Sequence, residues 1–335
     1  MVCSIGLSST IFLKNPHSDP IPMTQPNASV LFDRTPSFSF EFFPPKTQEG
    51  ADALMDTVIK LQEFHPSFVS VTYGAGGGSR ELTRSVVQDM VSRGIPTVPH
   101  LTCVGHTEAE IESILEGYAK AGAQAILALR GDPPRNRAYD ASKDAFRHAS
   151  ELVRFIRNWE DKQRLNTRLT IGVAGFCEGH PDTRNRIREM DYLKAKVDEG
   201  ADYICTQLFF DNHAFFDFRD RCRLVGIDVP IIAGIMPITS ISGMNRMAEL
   251  SAGTNFPARL FKAMLRAGGD RASIERIGIN YASNQCSELL DADVDGIHFY
   301  TLNRSKATLE IYRNLGINNY FDIDCLHMLS NIYKS

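Results

Sequence analysis

Three observations predict that this chain is an α/β protein with the fold of a (β/α)8 TIM barrel. Short apolar, β-branched runs alternate with longer segments of helical periodicity from residue 38 onward. The first four predicted strands begin about every 30 residues, which is the length of a βαβ unit. Polar or ionisable residues follow the predicted strands, and in a barrel the carboxyl ends of the strands converge on one mouth. In the alternative, an open doubly wound sheet, these residues would lie along a line and could not all meet one ligand.

Eight segments carry the strand pattern, and helical segments lie between most of them. In chain order the predicted strands are Phe38–Phe43, Phe68–Thr72, Thr97–Thr102, Ala125–Arg130, Thr170–Phe176, Tyr203–Gln207, Pro230–Ile235 and Gly296–Thr301. The longest interval between strands, residues 236–296, contains two or three helical segments and is interpreted as an elaborated crossover. We therefore predict a catalytic barrel over residues 36–316, a flexible arm over residues 1–35 and a tail over residues 317–335.

The composition excludes several classes of protein. The 335 residues are 43% hydrophobic and 23% charged, with a formal net charge of −4, which is typical of an ordinary globular protein. The slight acidity offers no basic surface for nucleic acid or an anionic membrane, and no run approaches the roughly 18 apolar residues of a membrane span. Seven cysteines form no C-x-x-C pair, which favours reduced thiols. Because the first residues lack the features of a secretory signal, we expect a cytoplasmic location.

Glu41 lies in the run FSFEFFPP, residues 38–45, at the end of the first predicted strand. Burial among four phenylalanines would disfavour the charged form of its carboxyl. A carboxyl that keeps its proton near neutral pH can act as a general acid. The alternative is a strand residue whose side chain faces water while its neighbours are buried. Glu41 is the first candidate catalytic residue.

Two other patterns have simpler explanations than a cofactor or a metal. The loop YGAGGGS, residues 73–79, has a serine where a dinucleotide-binding loop needs its third glycine, and we interpret it as a flexible loop at the barrel mouth. His100, Cys103 and His106 have a spacing that suggests metal, but they lie at a strand end, where their side chains should diverge. No fourth ligand is evident, so we predict no metal site.

Polar residues follow the fourth, fifth and sixth predicted strands. Arg130 and Asp132 end the fourth strand, and their position at the mouth suggests a ligand role, with a surface ion pair as the alternative. Charged residues crowd the segment from Glu178 to Lys196, where a lysine could reach an anionic group; a solvated helix face is the alternative. Gln207, next to two phenylalanines, suits a flat heteroaromatic ligand, or it simply ends a core strand.

A set of motifs, in the same order and with similar spacings, resembles the methylenetetrahydrofolate reductase family. The motifs are FSFEFFPP (38–45), VSVTYGAGG (69–77), PHLTC (99–103), LALRGDPP (127–134), KVDEGADYICTQLFFD (196–211), FRDRC (218–222) and HFYTLNR (298–304). The resemblance covers about residues 36–316 and implies a barrel with FAD at the C-terminal face of the strands. It also implies ping-pong reduction of 5,10-methylenetetrahydrofolate to 5-methyltetrahydrofolate by NADH or NADPH, which supplies methyl groups for methionine synthesis.

The resemblance implies roles for individual residues. Glu41 matches the acid that helps to open the imidazolidine ring of the folate, and Asp132 matches an acidic residue near the flavin and the folate. The positions that match substrate contacts are Thr72, Asp132, Gln207 and Arg304. The positions that match cofactor contacts are Thr72, Tyr73, Ala75, His100, Arg130, Gly131, Asp132, Ala149, Phe176, His180, Glu189 and Lys196.

Some positions depart from the family pattern. Phe176 and His148 replace tyrosines, and Glu189 replaces an aspartate on the ribose side of the flavin. Gly243 and Met247 replace a glutamine and a phenylalanine that some bacterial members use around folate and nucleotide. The bacterial members suggest a homo-oligomer. Because the sequence ends near residue 335, we expect neither the C-terminal regulatory domain of eukaryotic members nor feedback control by adenosylmethionine.

Proteins with other functions could have part of the same sequence pattern. Another TIM-barrel flavoenzyme, such as a proline dehydrogenase, would share the architecture but act on a small amino acid. A non-catalytic flavin- or folate-binding protein would need the pocket but no acid at Glu41. A pterin-dependent methyltransferase barrel would need no FAD.

Overall fold

The structure is a computed structural model that describes residue 31 and residues 36–73, 80–133, 138–164, 168–183, 185–251, 254–319 and 322–323. Eight parallel strands form a closed barrel in chain order. The strands are β1 (Ser37–Phe42), β2 (Phe68–Val71), β3 (Thr97–Thr102), β4 (Ala125–Leu129), β5 (Thr170–Gly175), β6 (Tyr203–Thr206), β7 (Ile231–Ile235) and β8 (Gly296–Tyr300). The predicted (β/α)8 barrel is confirmed, and each predicted strand agrees to within one residue at either end.

Helices cover the outside of the barrel. They are α1 (Gln48–Gln62), α2 (Arg80–Ser92), α3 (Glu108–Ala121), α4 (Ala149–Gln163), α5 (Arg186–Asp198), α6 (Asn212–Leu224), α7 (Ile241–Leu250), α8 (Ala258–Arg266), α9 (Arg271–Asp291) and α10 (Lys306–Asn314). The elaborated crossover predicted between β7 and β8 contains α7, α8 and α9. In the described part of the chain we find no helix that could span a membrane.

Local sequence signals begin and end these helices. Thr107 and Glu110 form a reciprocal capping box at the start of α3, and Gly122 ends that helix in the left-handed conformation with φ 89°. Asp211 accepts a hydrogen bond from the backbone N–H of His213 and so begins α6 directly after β6. These caps fix where the chain leaves the strand ends that form the barrel mouth.

Alternate residues of β1 lie on opposite faces of the sheet. Phe38, Phe40 and Phe42 are buried in the layer between the sheet and the outer helices. Ser39 and Glu41 point into the barrel, where they meet side chains from the neighbouring strands. The same strand therefore supplies an apolar outer layer and a polar interior.

The predicted arm and tail lie largely outside the described residues. Of the predicted arm, only residue 31 is described. Of the predicted tail, only residues 317–319 and 322–323 are described. The eight strands and the ten α-helices named above lie within the predicted range 36–316. The boundaries of the arm and the tail remain predictions.

Candidate active site

The carboxyl ends of the strands surround a cavity of about 670 Å³. Side chains at or just after all eight strand ends contribute to its wall, as the clustering of polar residues after the strands led us to expect. Enclosed cavities of this size, with a few convergent polar groups, are typical of small-molecule and cofactor sites. It is therefore the candidate active site.

Most of the predicted site residues line this cavity. They are Glu41, Thr72, Tyr73, His100, Arg130, Gly131, Asp132, Ala149, Phe176, His180, Glu189, Lys196 and Gln207. Ala75 lies outside the described residues. Arg304 does not line the cavity; it is exposed in the turn after β8, where its backbone N–H donates to the carbonyl of Thr301 at 3.0 Å.

Glu41 lies between two histidines in the barrel interior, and only 7% of its surface is exposed. Its Oε2 is 3.6 Å from Nε2 of His100 and 3.8 Å from Nε2 of His298. Both distances are longer than an ordinary N–H···O hydrogen bond. The backbone carbonyl of Glu41 accepts a hydrogen bond of 2.6 Å from Oγ1 of Thr301, which fixes the strand end below the carboxyl.

The burial of Glu41 has a different cause from the one inferred from the sequence. The phenylalanines at 38, 40 and 42 lie on the opposite face of β1, so they do not surround the carboxyl. Its neighbours are the imidazoles of His100 and His298. The prediction that apolar rings bury Glu41 was wrong because side chains alternate along a strand. The prediction that this carboxyl is buried is confirmed.

His100 is a neutral partner for Glu41. Burial lowers the pKa of His100 to about 4, and the adjacent Glu41 offsets this effect only in part. The imidazole therefore carries no charge near pH 7. Its Nε2 is buried and has no hydrogen-bond partner among the described residues. Because His100 lines the cavity, this unpaired nitrogen is a polar atom that a bound ligand could contact.

The sequence analysis did not find His298. This residue is 1% exposed and faces inward from β8, with Nδ1 2.8 Å from Oγ of Ser39 and Nε2 3.4 Å from Oγ of Ser70. Because alternate residues of a strand share a face, the sequence could have shown that His298 lies on the same face of β8 as Gly296 and Tyr300. Contact with Glu41 also required the register between the first and last strands, which no local pattern gives.

Charged groups form the wall across the barrel from Glu41, around β4, β5 and the start of α5. Arg130 follows β4, and its Nη2 lies 3.0 Å from Oδ2 of Asp182 in the loop after β5. His180 lies in the same loop; burial lowers the pKa of its imidazole, and the adjacent Arg130 adds to this effect. This wall therefore places a permanent cation and a neutral imidazole side by side.

Lys196 extends the charged wall from the last turn of α5. Its Nζ donates a hydrogen bond of 2.7 Å to the carbonyl of Ala174 on β5. Burial lowers the pKa of Lys196 to about 8, and the nearby Glu189 counteracts part of that shift. At pH 7 the ammonium is therefore still mostly charged. Glu189 itself accepts from the backbone N–H of His180 at 2.9 Å and pairs with Arg186 at 3.3 Å.

Gly131 allows the backbone to pass close to β3 at the cavity wall. Its φ of 80° lies in the left-handed region, and a Cβ at this position would lie 2.8 Å from the side chain of Thr102. Both features exclude a larger residue. Asp132, the next residue, is exposed at the rim of the cavity.

Aromatic pairs flank the cavity where the chain departs from the family pattern. His148 stacks on Tyr192 with 5.2 Å between ring centroids, and Phe176 contacts the edge of His180 at 4.7 Å. Met247 also lines the cavity. Gly243 does not line it; it lies in the first turn of α7, where its N–H donates to Ser240 at 3.0 Å.

The side chains of the H-x-x-C-x-x-H spacing have three separate environments. His100 faces Glu41, the thiol of Cys103 donates to the carbonyl of Leu129, and Nε2 of His106 bonds to the hydroxyl of Tyr73. They diverge as expected from a strand end. Across the described residues, no group of three or more His, Cys, Asp or Glu side chains could hold a metal ion.

Comparisons with known proteins agree with this geometry. Residues 28–316 match the family model described as methylenetetrahydrofolate reductase. A methylenetetrahydrofolate reductase (NADH) 1 of Arabidopsis thaliana is 37% identical over 300 residues, which are 86% of this chain and 50% of that protein. The 5,10-methylenetetrahydrofolate reductase of Escherichia coli K12 is 36% identical over 280 residues, which are 83% of this chain and 90% of that protein.

A solved structure extends the comparison to the fold. A protein from Clostridium thermocellum that binds two copies of 5-methyl-5,6,7,8-tetrahydrofolic acid superposes with a TM-score of 0.58 and 14% identity, covering 91% of this chain and 98% of that one. At that identity the likeness supports the barrel fold alone. The chain spans about half the length of its plant and yeast relatives. The family match and these identities together show that the chain belongs to the methylenetetrahydrofolate reductase family.

Proposed function

We propose that this protein reduces 5,10-methylenetetrahydrofolate to 5-methyltetrahydrofolate, with FAD as the bound cofactor and NADH or NADPH as the reductant. The observation that carries the proposal is the buried carboxyl of Glu41 at the wall of a large cavity, in a chain of this family. The relatives of 36–37% identity that are named methylenetetrahydrofolate reductase support the same substrate class.

The residues of the cavity fit a flavin with an anionic diphosphate. The unpaired buried Nε2 of His100 offers a polar contact, and Gly131 contributes to the cavity wall without a side chain. Arg130 and Lys196 supply positive charge on the opposite wall, and charge-assisted hydrogen bonds to phosphate are among the stronger polar contacts. When bound, FAD would take a hydride from the nicotinamide nucleotide and pass it to the folate.

Glu41 would supply the proton that the folate step needs. Opening the imidazolidine ring leaves an amine nitrogen, which is a poor leaving group unless it is protonated. A carboxyl held away from water among neutral partners can give its proton to that nitrogen. The neutral His100 beside it adds no positive charge that would favour the carboxylate.

Gln207 would orient the substrate from the end of β6. Its Oε1 accepts a hydrogen bond of 2.9 Å from the backbone N–H of Leu208, which leaves the amide NH2 as the group available to a ligand. The exposed Asp132, at the rim after β4, would place negative charge near the cofactor. A cytoplasmic location and a homo-oligomer remain predictions.

A two-step spectroscopic experiment tests the proposed function. Protein purified with its cofactor should be yellow, lose its visible absorbance with NADH or NADPH under anaerobic conditions, and regain it when methylenetetrahydrofolate is added. Chromatography should then identify methyltetrahydrofolate as the product, and the two nucleotides compared in parallel give the preferred reductant. A protein that takes up no flavin, or that is reduced and then fails to convert the folate, would overturn the proposal.

A further inference from the structure

We infer that His298 is a positioning residue for Glu41, holding an Nε2–H toward the carboxyl because Ser39 occupies its Nδ1. The inference deepens the proposed function, since it assigns a partner to the acid of the folate step. It starts from three atoms in the barrel interior: Oγ of Ser39, the imidazole of His298 and Oε2 of Glu41.

The ring of His298 is held in one orientation by its neighbours. It stacks on Phe68 with 5.7 Å between centroids and an interplanar angle of 23°, and it lies edge-on to Tyr300 at 5.4 Å and 87°. Strand register creates this arrangement, because Ser39 of β1 is paired with Phe68 on one side and with His298 on the other. The imidazole therefore has little freedom to turn its nitrogens elsewhere.

Ser39 decides which nitrogen carries the proton. Its Oγ lies 2.8 Å from Nδ1 of His298, and it has no other side-chain partner among the described residues. Two buried hydroxyls face the ring, and a neutral imidazole can accept a hydrogen bond at only one of its nitrogens. The Ser39 contact is shorter than the Ser70 contact, at 2.8 Å against 3.4 Å, so we assign Ser39 as the donor; Nδ1 then accepts and Nε2 carries the N–H. The neighbours of Nε2 are Oγ of Ser70 at 3.4 Å and Oε2 of Glu41 at 3.8 Å, and both can accept.

An N–H directed at Glu41 matters because few other groups can stabilise its charged form. Among the described residues no lysine or arginine lies within 4.0 Å of this carboxyl, and His100 is neutral. Cys205 and Tyr300 also face it, and burial raises the pKa of both groups, so they stay uncharged. The two imidazoles of His100 and His298 are then the groups that can donate to the carboxylate after the proton has left. His298 is the one whose tautomer is fixed by a serine, and its N–H reaches the carboxylate once the 3.8 Å gap closes by about 0.6 Å.

The tautomer can be measured without any reaction. Nitrogen-15 NMR of the histidine-labelled protein, purified with its cofactor, distinguishes protonated from bare ring nitrogens, and His298→Phe identifies the signal among the nine histidines. We expect a protonated Nε2 and a bare Nδ1. Ser39→Ala should weaken that preference. Ser37→Ala is the matched control, since Ser37 is equally buried on β1 but its Oγ contacts the carbonyl of Asp295. A protonated Nδ1 in the unmodified protein would overturn the inference.

The pH dependence of the folate step is the second test. A general acid works while protonated, so the rate falls as pH rises past its titration. Loss of a donor to the carboxylate disfavours the charged form, so in His298→Phe the alkaline limb of the pH–rate profile should move to higher pH. Ser39→Ala should shift it in the same direction by less, and Ser37→Ala should leave it in place. Reduction by the nucleotide should keep its pH profile in all three variants.

The two tests separate this inference from the proposed function. If the unmodified protein converts no folate, the proposed function fails, while the NMR experiment still decides the tautomer. If folate is converted but His298→Phe and Ser39→Ala only lower the melting temperature and the rate, with no shift of the limb, His298 is structural and the inference is overturned. Should His298→Phe fail to fold, Ser39→Ala alone decides between these outcomes.

Discussion

The two walls of the cavity differ in their electrostatics. At β1, Glu41 is buried beside the neutral His100, with hydroxyls and a second imidazole behind it. Across the barrel, Arg130 and Lys196 bring positive charge to the cavity from β4 and α5. A buried carboxyl can hold and release a proton, whereas Arg130 and Lys196 can bind an anionic group, with three carboxylates lining the same wall. Under the proposed function, the β1 wall would serve proton transfer and the opposite wall would serve cofactor binding.

Removing the acid from the β1 wall should have the largest effect. Glu41→Gln keeps the size of the side chain but has no proton to give, so we expect folate reduction to fall by about 10² to 10⁴-fold. Reduction by the nucleotide needs no such acid and should change little. Stopped-flow absorbance under anaerobic conditions measures both rates. The exposed Glu49 gives the matched control, Glu49→Gln, which should behave like the unmodified protein. Equal losses in reduction by the nucleotide and in reduction of the folate would contradict a specific role of Glu41 in proton transfer.

The buried His100 should make stability depend on pH. Its pKa is about 4 in the folded protein and near the usual 6.5 in the unfolded chain, so only the unfolded chain takes up a proton between these values. Stability should therefore fall as pH is lowered from 6.5 toward 4, by about 3 kcal/mol. Urea unfolding at several pH values measures this slope. His100→Gln should flatten it, and the exposed His213→Gln should not. An unchanged slope in His100→Gln would contradict a neutral buried imidazole.

Removing a cation from the opposite wall should weaken cofactor retention. Lys196→Met deletes a charged donor at the cavity, and the loss of one charge-assisted hydrogen bond corresponds to about 10-fold or more in FAD affinity. Flavin fluorescence in the dialysate measures it. Lys194→Met, two residues earlier on α5, removes a lysine that pairs with Asp198 and does not line the cavity. Equal FAD loss in both variants would show that helix charge in general, and not this position, binds the cofactor.

The exposed ion pair at the rim should contribute least to stability. Arg130 and Asp182 are 40% and 63% exposed at their side chains, so water screens the attraction between them. We expect Asp182→Asn to change the free energy of unfolding by less than about 1 kcal/mol. Urea unfolding at neutral pH measures the change. A larger loss would mean that this part of the charged wall supports the fold as well as the ligand.

Strand positions and the convergence of polar residues could be predicted because they depend on local periodicity and on the geometry of a barrel. The environment of Glu41 was predicted wrongly, because we treated the phenylalanines from Phe38 to Phe43 as its surroundings. Alternate side chains of a strand point to opposite faces of the sheet, so the rings at positions 38, 40 and 42 lie on the face opposite to Glu41. His298 was missed because its contact with Ser39 joins residues 259 positions apart. The residue pattern suggested that a lysine near the end of α5 could reach an anionic group, and the family resemblance selected Lys196. Its bond to Ala174 could not be predicted because it depends on how α5 packs on β5.

The most direct test of the two-wall account compares Glu41→Gln and Lys196→Met in the same pair of half-reactions. We predict that Glu41→Gln is isolated with FAD and is reduced by the nucleotide, yet hardly converts folate. Lys196→Met should lose FAD and, with FAD supplied in excess, convert folate at a rate close to that of the unmodified protein. Normal folate conversion by Glu41→Gln, or failure of both variants at the same step, would contradict the account.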